Sequence, residues 1–200
     1  MQRLPRRKQT RTKAALVRAA LQLFAEKGYA ATTVGEIAHL AEVTERTFFL
    51  HFPSKEDVLF GVDEEDLRVL EQCIVDEPAA RDTYTVLERA ILAWHATKGG
   101  DEERHRMSQL LVRAAQSSPT LRGRQLDYSE ALARSAARAL ARRKGRAEPD
   151  EADETAADIA IRVLYLAIVD WTQARAEDLE ALVKKRFVLM RAGSSPRRPG

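Results

Sequence analysis

The 200-residue sequence contains a single cysteine, Cys73, which excludes an intrachain disulfide and a metal site built from several thiolates. No apolar run approaches the roughly 18 residues that a membrane-spanning helix needs. The first ten residues, MQRLPRRKQT, also lack the apolar stretch of a secretion signal. Together these absences predict a cytoplasmic protein that has no membrane span.

Signatures of catalysis are missing as well. There is no H-E-x-x-H pair, no G-x-S-x-G and no glycine-rich phosphate loop, and the four histidines are scattered along the chain. A pair formed by His95 and Asp101 is the one acid–base arrangement that remains open. The acidic run at 63–66 has no histidine or second carboxylate cluster at ligand spacing, so it favours a solvated face over a metal site. We predict neither an enzyme nor a bound metal or cofactor.

Sustained alternation of apolar and polar residues is absent too, and Ala, Leu, Arg and Glu are abundant. The fold class is therefore predicted to be all-α, with about nine helices. We expect a helix-turn-helix domain over residues 10–55, a helical body over 56–192, and flexible tails at 1–9 and 193–200. The predicted helices cover about 10–27, 33–41, 44–52, 55–75, 83–97, 101–116, 121–143, 153–174 and 179–191.

Positive charge is concentrated at one end of the chain. Residues 1–55 hold ten Lys and Arg against four Asp and Glu, whereas the remainder holds 23 against 26. A basic head on a mildly acidic body is typical of a protein that binds a polyanion through its head alone.

The stretch from Thr33 to Phe52 is the most informative in the sequence. Thr33 and Glu36 form the T-x-x-E pattern of a capping box, which predicts the start of one short helix. Thr44 is a suitable N-cap for a second, whose apolar side includes Phe48 and Phe52. A turn at 42–43 would join them, so the pattern predicts a helix-turn-helix with Phe48 and Phe52 in its core.

Residues 12–60 resemble the DNA-binding domain of the tetracycline-repressor (TetR) family of bacterial regulators. The matching motifs are AALxLFAEKGYAATTVGEIA, VTxRTFF and HFPSKEDVL. Two departures from the family pattern affect the site. Glu42 occupies the turn position usually held by glycine, and Phe49 and His51 replace a Tyr-x-Tyr pair, which leaves only His51 able to donate a hydrogen bond to a phosphate.

Helix-turn-helix proteins place the start of their second helix against base edges. Arg46 suits a bidentate contact to guanine, Thr47 suits a thymine methyl group, and Glu45 either accepts from cytosine or deters phosphates. Helix termini and basic side chains supply the predicted phosphate contacts. The full predicted set is Thr33, Thr44, Glu45, Arg46, Thr47, His51 and Lys55, with Arg11 and Lys13 as arm residues for which a solvated role is an equal alternative.

The last two helices are apolar on more than one side, which indicates burial on both sides. In the resembled family these two helices pair with the same two helices of a second copy to form a four-helix bundle, so the resemblance implies a homodimer. The alternative is that they are core helices of a single chain. The predicted interface comprises Ile161, Leu164, Ile168, Trp171, Leu179, Leu182, Val183 and Phe187.

The resemblance also implies a small-molecule cavity in the body. Because an apolar stripe does not distinguish a cavity wall from a solid core, each candidate is open to both readings. They are Leu67, Leu70, Cys73, Trp94, Met107, Leu110, Tyr128 and Tyr165. Residues 113–128, RAAQSSPTLRGRQLDY, resemble the branch of the family whose ligand domains bind acyl-coenzyme-A-like effectors.

The expected function is that of a dimeric repressor that binds a palindromic operator in double-stranded DNA and is released by a small hydrophobic or acyl-type effector. The alternative is an effector-less helical DNA-binding or adaptor protein. A cytoplasmic protein of either kind would lie at the nucleoid when bound to DNA.

Overall fold

Helices account for all the regular secondary structure in residues 6–78, 82–98, 100–173 and 178–194, which the computed structural model describes. The predicted all-α fold is confirmed. The ten helices within these ranges are α1 (Arg6–Lys27), α2 (Val34–Leu40), α3 (Glu45–His51), α4 (Asp57–Phe60), α5 (Glu64–Asp76), α6 (Thr83–Ala96), α7 (Asp101–Ser117), α8 (Pro119–Arg143), α9 (Glu151–Gln173) and α10 (Leu179–Ser194).

The extra helix arises because the predicted helix over 55–75 is divided into α4 and α5. Gly61 is extended there, with ψ 132°, and a Cβ at this position would lie 2.4 Å from the carbonyl oxygen of Asp57. Asp63 then caps α5, since its carboxylate accepts the amide of Glu65 at 3.0 Å. Periodicity misses this break because the apolar stripe continues across it.

The chain termini also differ from the prediction. α1 begins at Arg6, so residues 6–9 are helical and do not form part of a flexible tail. Residues 1–5 and 195–200 lie outside the described ranges, and the expectation of flexibility there stays a prediction. No described helix combines the length and apolar character needed to cross a membrane.

The chain divides into two compact units. The first contains residues 1–62 together with 109–128, and the second contains 63–108 and 129–200. In the first unit, Leu16 and Phe24 of α1 pack with Ile37, Phe48 and Val58 from the next three helices. This confirms the predicted core position of Phe48 and, at 4% exposure, that of Phe52.

The segment 109–128 is built into the first unit by a second apolar cluster. Phe60 of α4 packs there with Ala114, Ala115 and Leu121, and Tyr128 lies against them. Arg124 and Asp57 form an ion pair at 3.7 Å in the same unit. The unit that contains the helix-turn-helix is therefore larger than residues 10–55.

In the second unit, polar contacts fix the helix packing around an apolar interior. The Trp94 indole donates to the carbonyl oxygen of Asp66 at 3.2 Å and to its carboxylate at 3.1 Å, which joins α6 to α5. Glu71 of α5 accepts from Ser135 at 2.6 Å and from Arg142 at 2.7 Å, both of α8. These contacts align α5 with its two neighbours.

The predicted dimer residues are largely enclosed by the chain itself, and their place in an interface stays a prediction. α9 packs against α10, and Arg186 donates to Asp170 at 2.8 Å beside this contact. A side chain enclosed by its own chain has almost no surface left for a partner. Ile161, Leu164, Trp171, Leu179, Leu182, Val183 and Phe187 are buried, and Ile168 is half-buried.

Candidate nucleic-acid interface

The predicted capping box at the start of α2 is present. The amide of Glu36 donates to the Thr33 hydroxyl at 3.2 Å, and the Thr33 amide donates to the Glu36 carboxylate at 2.8 Å. Lys27 forms an ion pair with the same carboxylate. The hydrogen bond from Lys27 and those from Thr33 lower the pKa of Glu36 to about 2. The cap therefore depends on an ionised Glu36.

The depressed pKa of Glu36 predicts an acid-sensitive contribution to stability. Because the folded value lies below the unfolded one, the contribution is complete above about pH 4.5 and is lost as the pH falls towards 2. Thermal unfolding of the wild type and Glu36→Gln tests this. The wild type should be the more stable at pH 6, and the difference should shrink in acid. A difference that is constant from pH 6 to pH 3 would contradict this explanation.

The turn after α2 keeps the geometry of a glycine-terminated helix without the glycine. Glu42 has a φ of 56° and is the only described residue other than glycine with a positive φ. Its amide donates to the carbonyl of His39 at 3.0 Å, and the Val43 amide donates to that of Ala38 at 2.9 Å. These two bonds form a Schellman motif, so the turn persists despite the cost of placing a Cβ in the left-handed region.

Relief of this strain should stabilise the domain. Glu42→Gly is expected to raise the free energy of unfolding by about 0.5–1 kcal/mol, because the relieved strain exceeds the added chain entropy. Glu42→Ala is the matched control, since it removes the carboxylate but keeps the Cβ and should bring no such gain. Chemical denaturation followed by circular dichroism measures both. Equal stability of the two variants would show that the strain does not exceed the chain entropy that glycine adds.

Thr44 begins α3 as predicted. Its hydroxyl accepts the amide of Thr47 at 3.1 Å, and the two hydroxyls lie 2.9 Å apart. Phe48 is fully buried, which fixes the rotation of α3 about its axis. The first turn of α3 is thus held at its cap and by one large core side chain.

Arg46 is exposed on this first turn and has no hydrogen bond or ion pair with another described residue. Glu45 differs, because its carboxylate lies against the start of α2: a Cβ on Gly35 would be 2.7 Å from its Oε1. Thr47 is half-buried beside its capping partner. Arg46 is therefore the predicted base-reading residue with the greatest freedom, and a base contact from Glu45 would require its carboxylate to leave α2.

Two of the residues predicted to bind phosphate make hydrogen bonds within the protein instead. Thr33 directs its hydroxyl and its amide to Glu36, each at 2.8 Å. Lys55 donates to the carbonyl oxygens of Tyr29 and Thr32, both at 2.9 Å, and its amine lies 4.0 Å from the centre of the Tyr29 ring. Burial lowers the pKa of Lys55. Both residues hold the domain together here, and their phosphate contacts stay predictions.

Lys13 of α1 and His51 of α3 interact electrostatically. Burial, followed by the charge of Lys13, lowers the pKa of His51 below its usual range. The Lys13 amine lies 5.8 Å from the centre of the Phe52 ring, and Arg11, two residues before Lys13, is exposed. The structure thus places a lysine of α1 beside the C-terminal half of α3, and phosphate binding by Lys13, His51 and Arg11 stays a prediction.

One exposed residue of α3 was not among the predicted contacts. Leu50 is 70% exposed, the highest value for any large apolar side chain in the described part of the chain. It lies four residues after Arg46 and so on the same helix face. That spacing was visible in the sequence, but an apolar residue next to Phe48 and Phe49 is naturally assigned to the core.

The eight predicted cavity residues are divided between the two units. Leu110 and Tyr128 belong to the first, and the other six belong to the second. Leu70 and Trp94 are buried, and burial raises the pKa of the half-buried Cys73. His105 lies edge-on to Trp171 with ring centres 4.6 Å apart. A role in ligand binding stays a prediction for all eight. No group of three or more potential metal ligands occurs among the described residues.

These features define a helix-turn-helix protein, and comparison with known proteins identifies its family. Residues 16–62 match the family of bacterial regulatory proteins called the tetR family. The HTH-type transcriptional regulator TcmR of Streptomyces glaucescens is 35% identical over 151 residues, which cover 71% of this chain and 64% of TcmR. The chain belongs to the TetR family, as the motifs of its DNA-binding domain predict.

Solved structures support the same fold along most of the chain. FadR from Bacillus subtilis, in complex with stearoyl-CoA, superposes with a TM-score of 0.58 at 22% identity, covering 91% of this chain and 99% of FadR. FadR from Thermus thermophilus, in complex with lauroyl-CoA, gives 0.52 at 22% identity, covering 94% and 99%. The curated relatives are named as transcriptional regulators, which agrees with the prediction that the chain is not an enzyme.

Proposed function

We propose that this chain is a dimeric, effector-responsive transcriptional regulator, and specifically a repressor that leaves its operator when a ligand binds. The observation that carries the proposal is Arg46, an exposed guanidinium without a described partner on the first turn of a helix whose rotation Phe48 fixes. An accessible donor of this kind suits bidentate recognition of guanine in the major groove. Such a regulator would act in the bacterial cytoplasm, at the nucleoid when bound.

Phosphate binding in this proposal comes from Lys13 and His51, which lie beside each other, and from the exposed Arg11 two residues before Lys13. The high density of basic residues in 1–55 supports this assignment. Binding through phosphates releases counterions, so the affinity should fall steeply as the salt concentration rises.

Dimerisation is supported by an exposed apolar pair on α10, Val188 and Leu189, which are 60% and 62% exposed. We place these two residues in the interface instead of the buried ones named from the sequence. Two half-sites about 34 Å apart, one turn of the double helix, require two copies of α3 at that spacing. Sedimentation of the wild type and of Val188→Asp with Leu189→Asp tests this step, because a dimer through α10 should become a monomer.

An acyl-type effector is supported by the similarity in fold to the two FadR proteins in complex with acyl-CoA. Thermal shift assays with lauroyl-CoA and stearoyl-CoA, using coenzyme A alone and laurate as controls, test the ligand class. A rise in melting temperature with the acyl-CoA compounds, but not with coenzyme A or laurate, supports an acyl-type effector. If no mixture of metabolites raises the melting temperature, the effector-less alternative is favoured.

The central experiment is a mobility shift with the DNA that flanks the protein's own gene. We expect the wild type to retard this DNA in a salt-dependent way, and an effector that shifts the melting temperature should reverse the retardation. Failure to retard any flanking duplex at low salt would contradict DNA binding. Retardation that no effector reverses would contradict only the release mechanism.

A further inference from the structure

The surface of α3 combines a cation that has no partner among the described residues with exposed apolar side chains. Phe48 marks the buried side of the helix. With 100° per residue, the direction opposite Phe48 falls between Arg46 and Leu50. Both side chains are exposed there, Leu50 by 70%, and Phe49 at 52% lies to one side. The outward face of α3 is therefore half cationic and half aliphatic.

A single exposed leucine carries little information, since apolar atoms cover much of any protein surface. The position of Leu50 is what distinguishes it. It lies one helical turn from Arg46, about 6 Å further along the axis at 1.5 Å per residue. At about 3.4 Å per base pair, that separation corresponds to about two base pairs in the major groove.

We propose that Leu50 reads a thymine methyl group about two base pairs from the guanine contacted by Arg46. This inference rests on the proposed DNA-binding function and adds the chemistry of the second contact. In the major groove, the methyl group of thymine is the only apolar feature that a base edge offers, so an aliphatic side chain discriminates there by contact with that group. Each half-site should accordingly contain a guanine and a thymine at this separation.

Replacing thymine by deoxyuridine tests the inference, because it removes the methyl group and leaves every hydrogen-bonding atom in place. An operator is first selected from random duplexes with the wild-type protein. Deoxyuridine is then placed at each thymine in turn, and affinities are measured by fluorescence anisotropy. At the position read by Leu50, loss of one methyl contact should weaken binding about fourfold, which corresponds to roughly 0.8 kcal/mol.

Leu50→Ala should bind the thymine and deoxyuridine operators with affinities that differ by less than about twofold, because the side chain that senses the methyl group is gone. Leu126→Ala is the matched control, since Leu126 is a 50% exposed leucine on α8, and it should keep the fourfold difference. Circular dichroism of each variant verifies folding.

The outcomes separate this inference from the function on which it rests. If no duplex is enriched by the wild type, DNA binding itself fails. If an operator is found but no thymine is sensitive to loss of its methyl group, or if Leu50→Ala keeps the sensitivity, the inference is wrong and the function stands. The inference is equally wrong if Leu50→Ala abolishes self-association and leaves the methyl effect intact.

Discussion

Arg46→Ala is expected to weaken binding to the selected operator by at least about thirtyfold. A bidentate contact to guanine contributes about 1–3 kcal/mol for each base pair, and a dimer loses one in each half-site. Because the Arg46 guanidinium has no described partner within the chain, its removal should leave the stability of the domain unchanged. Anisotropy titrations with the operator and with a scrambled duplex measure the loss.

The control for this variant is Arg122→Ala, which removes the same charge from an exposed position on α8. It should change operator affinity by no more than about twofold, as expected of a distant surface charge. A second criterion is specificity: Arg46→Ala should reduce the difference in affinity between the operator and the scrambled duplex, whereas Arg122→Ala should leave it unchanged. Equal losses for the two variants would mean that Arg46 contributes charge alone and that another residue reads the bases.

Asp153→Ala is expected to lower the free energy of unfolding of the second unit by about 3 kcal/mol. Asp153 is fully buried, and its carboxylate is bound by Lys144 at 2.5 Å and by Arg146. It also forms a capping pair with Asp150, whose carboxylate accepts the Asp153 amide at 2.9 Å. Removing the carboxylate leaves the charges of Lys144 and Arg146 without their buried partner. The partial exposure of both cations limits the loss of free energy.

Tryptophan fluorescence follows this unfolding selectively, because both tryptophans, Trp94 and Trp171, belong to the second unit. Asp158→Ala removes an exposed carboxylate from the same helix, so urea unfolding of that variant should stay within about 0.5 kcal/mol of the wild type. If Asp153→Ala unfolds at the same urea concentration as Asp158→Ala, the buried carboxylate has no structural role.

Local signals in the sequence predicted the helix-turn-helix well. A capping box needs only Thr33 and Glu36 at a fixed spacing, and Thr44 likewise caps α3 through its neighbour Thr47. Glu42 occupies the turn position usually held by glycine, and it adopts the left-handed conformation that glycine favours there. Both caps involve residues only three positions apart, so the sequence alone was enough to predict them.

Contacts between distant residues were not predictable in the same way. Lys55 looks like an accessible cation at a helix start, yet it binds carbonyl oxygens 26 and 23 residues earlier in the chain. Glu45 looks like a base-reading residue, yet its carboxylate lies over Gly35. Lys55 and Glu45 both lie close in sequence to the other predicted DNA contacts, which suggests that each binds DNA. Only the folded structure shows the contacts that they make within the protein.

The last two helices show the limit of amphipathicity most clearly. An apolar residue on α9 or α10 serves equally well in a chain's own core or in an interface, and periodicity is identical in the two cases. The structure resolves the ambiguity residue by residue: Phe187 is fully buried, whereas Val188 and Leu189 are exposed. The residues available to a second chain are therefore those that the apolar stripe does not single out.

The most direct test of dimeric operator binding is to select bound sequences from a pool of random DNA duplexes and then to sediment the complex. We expect an enriched inverted repeat whose half-sites are centred 10–10.5 base pairs apart, or a multiple of that, and which binds an even number of chains. Failure to enrich any sequence, or an enriched site without two-fold symmetry bound by one chain, would contradict it.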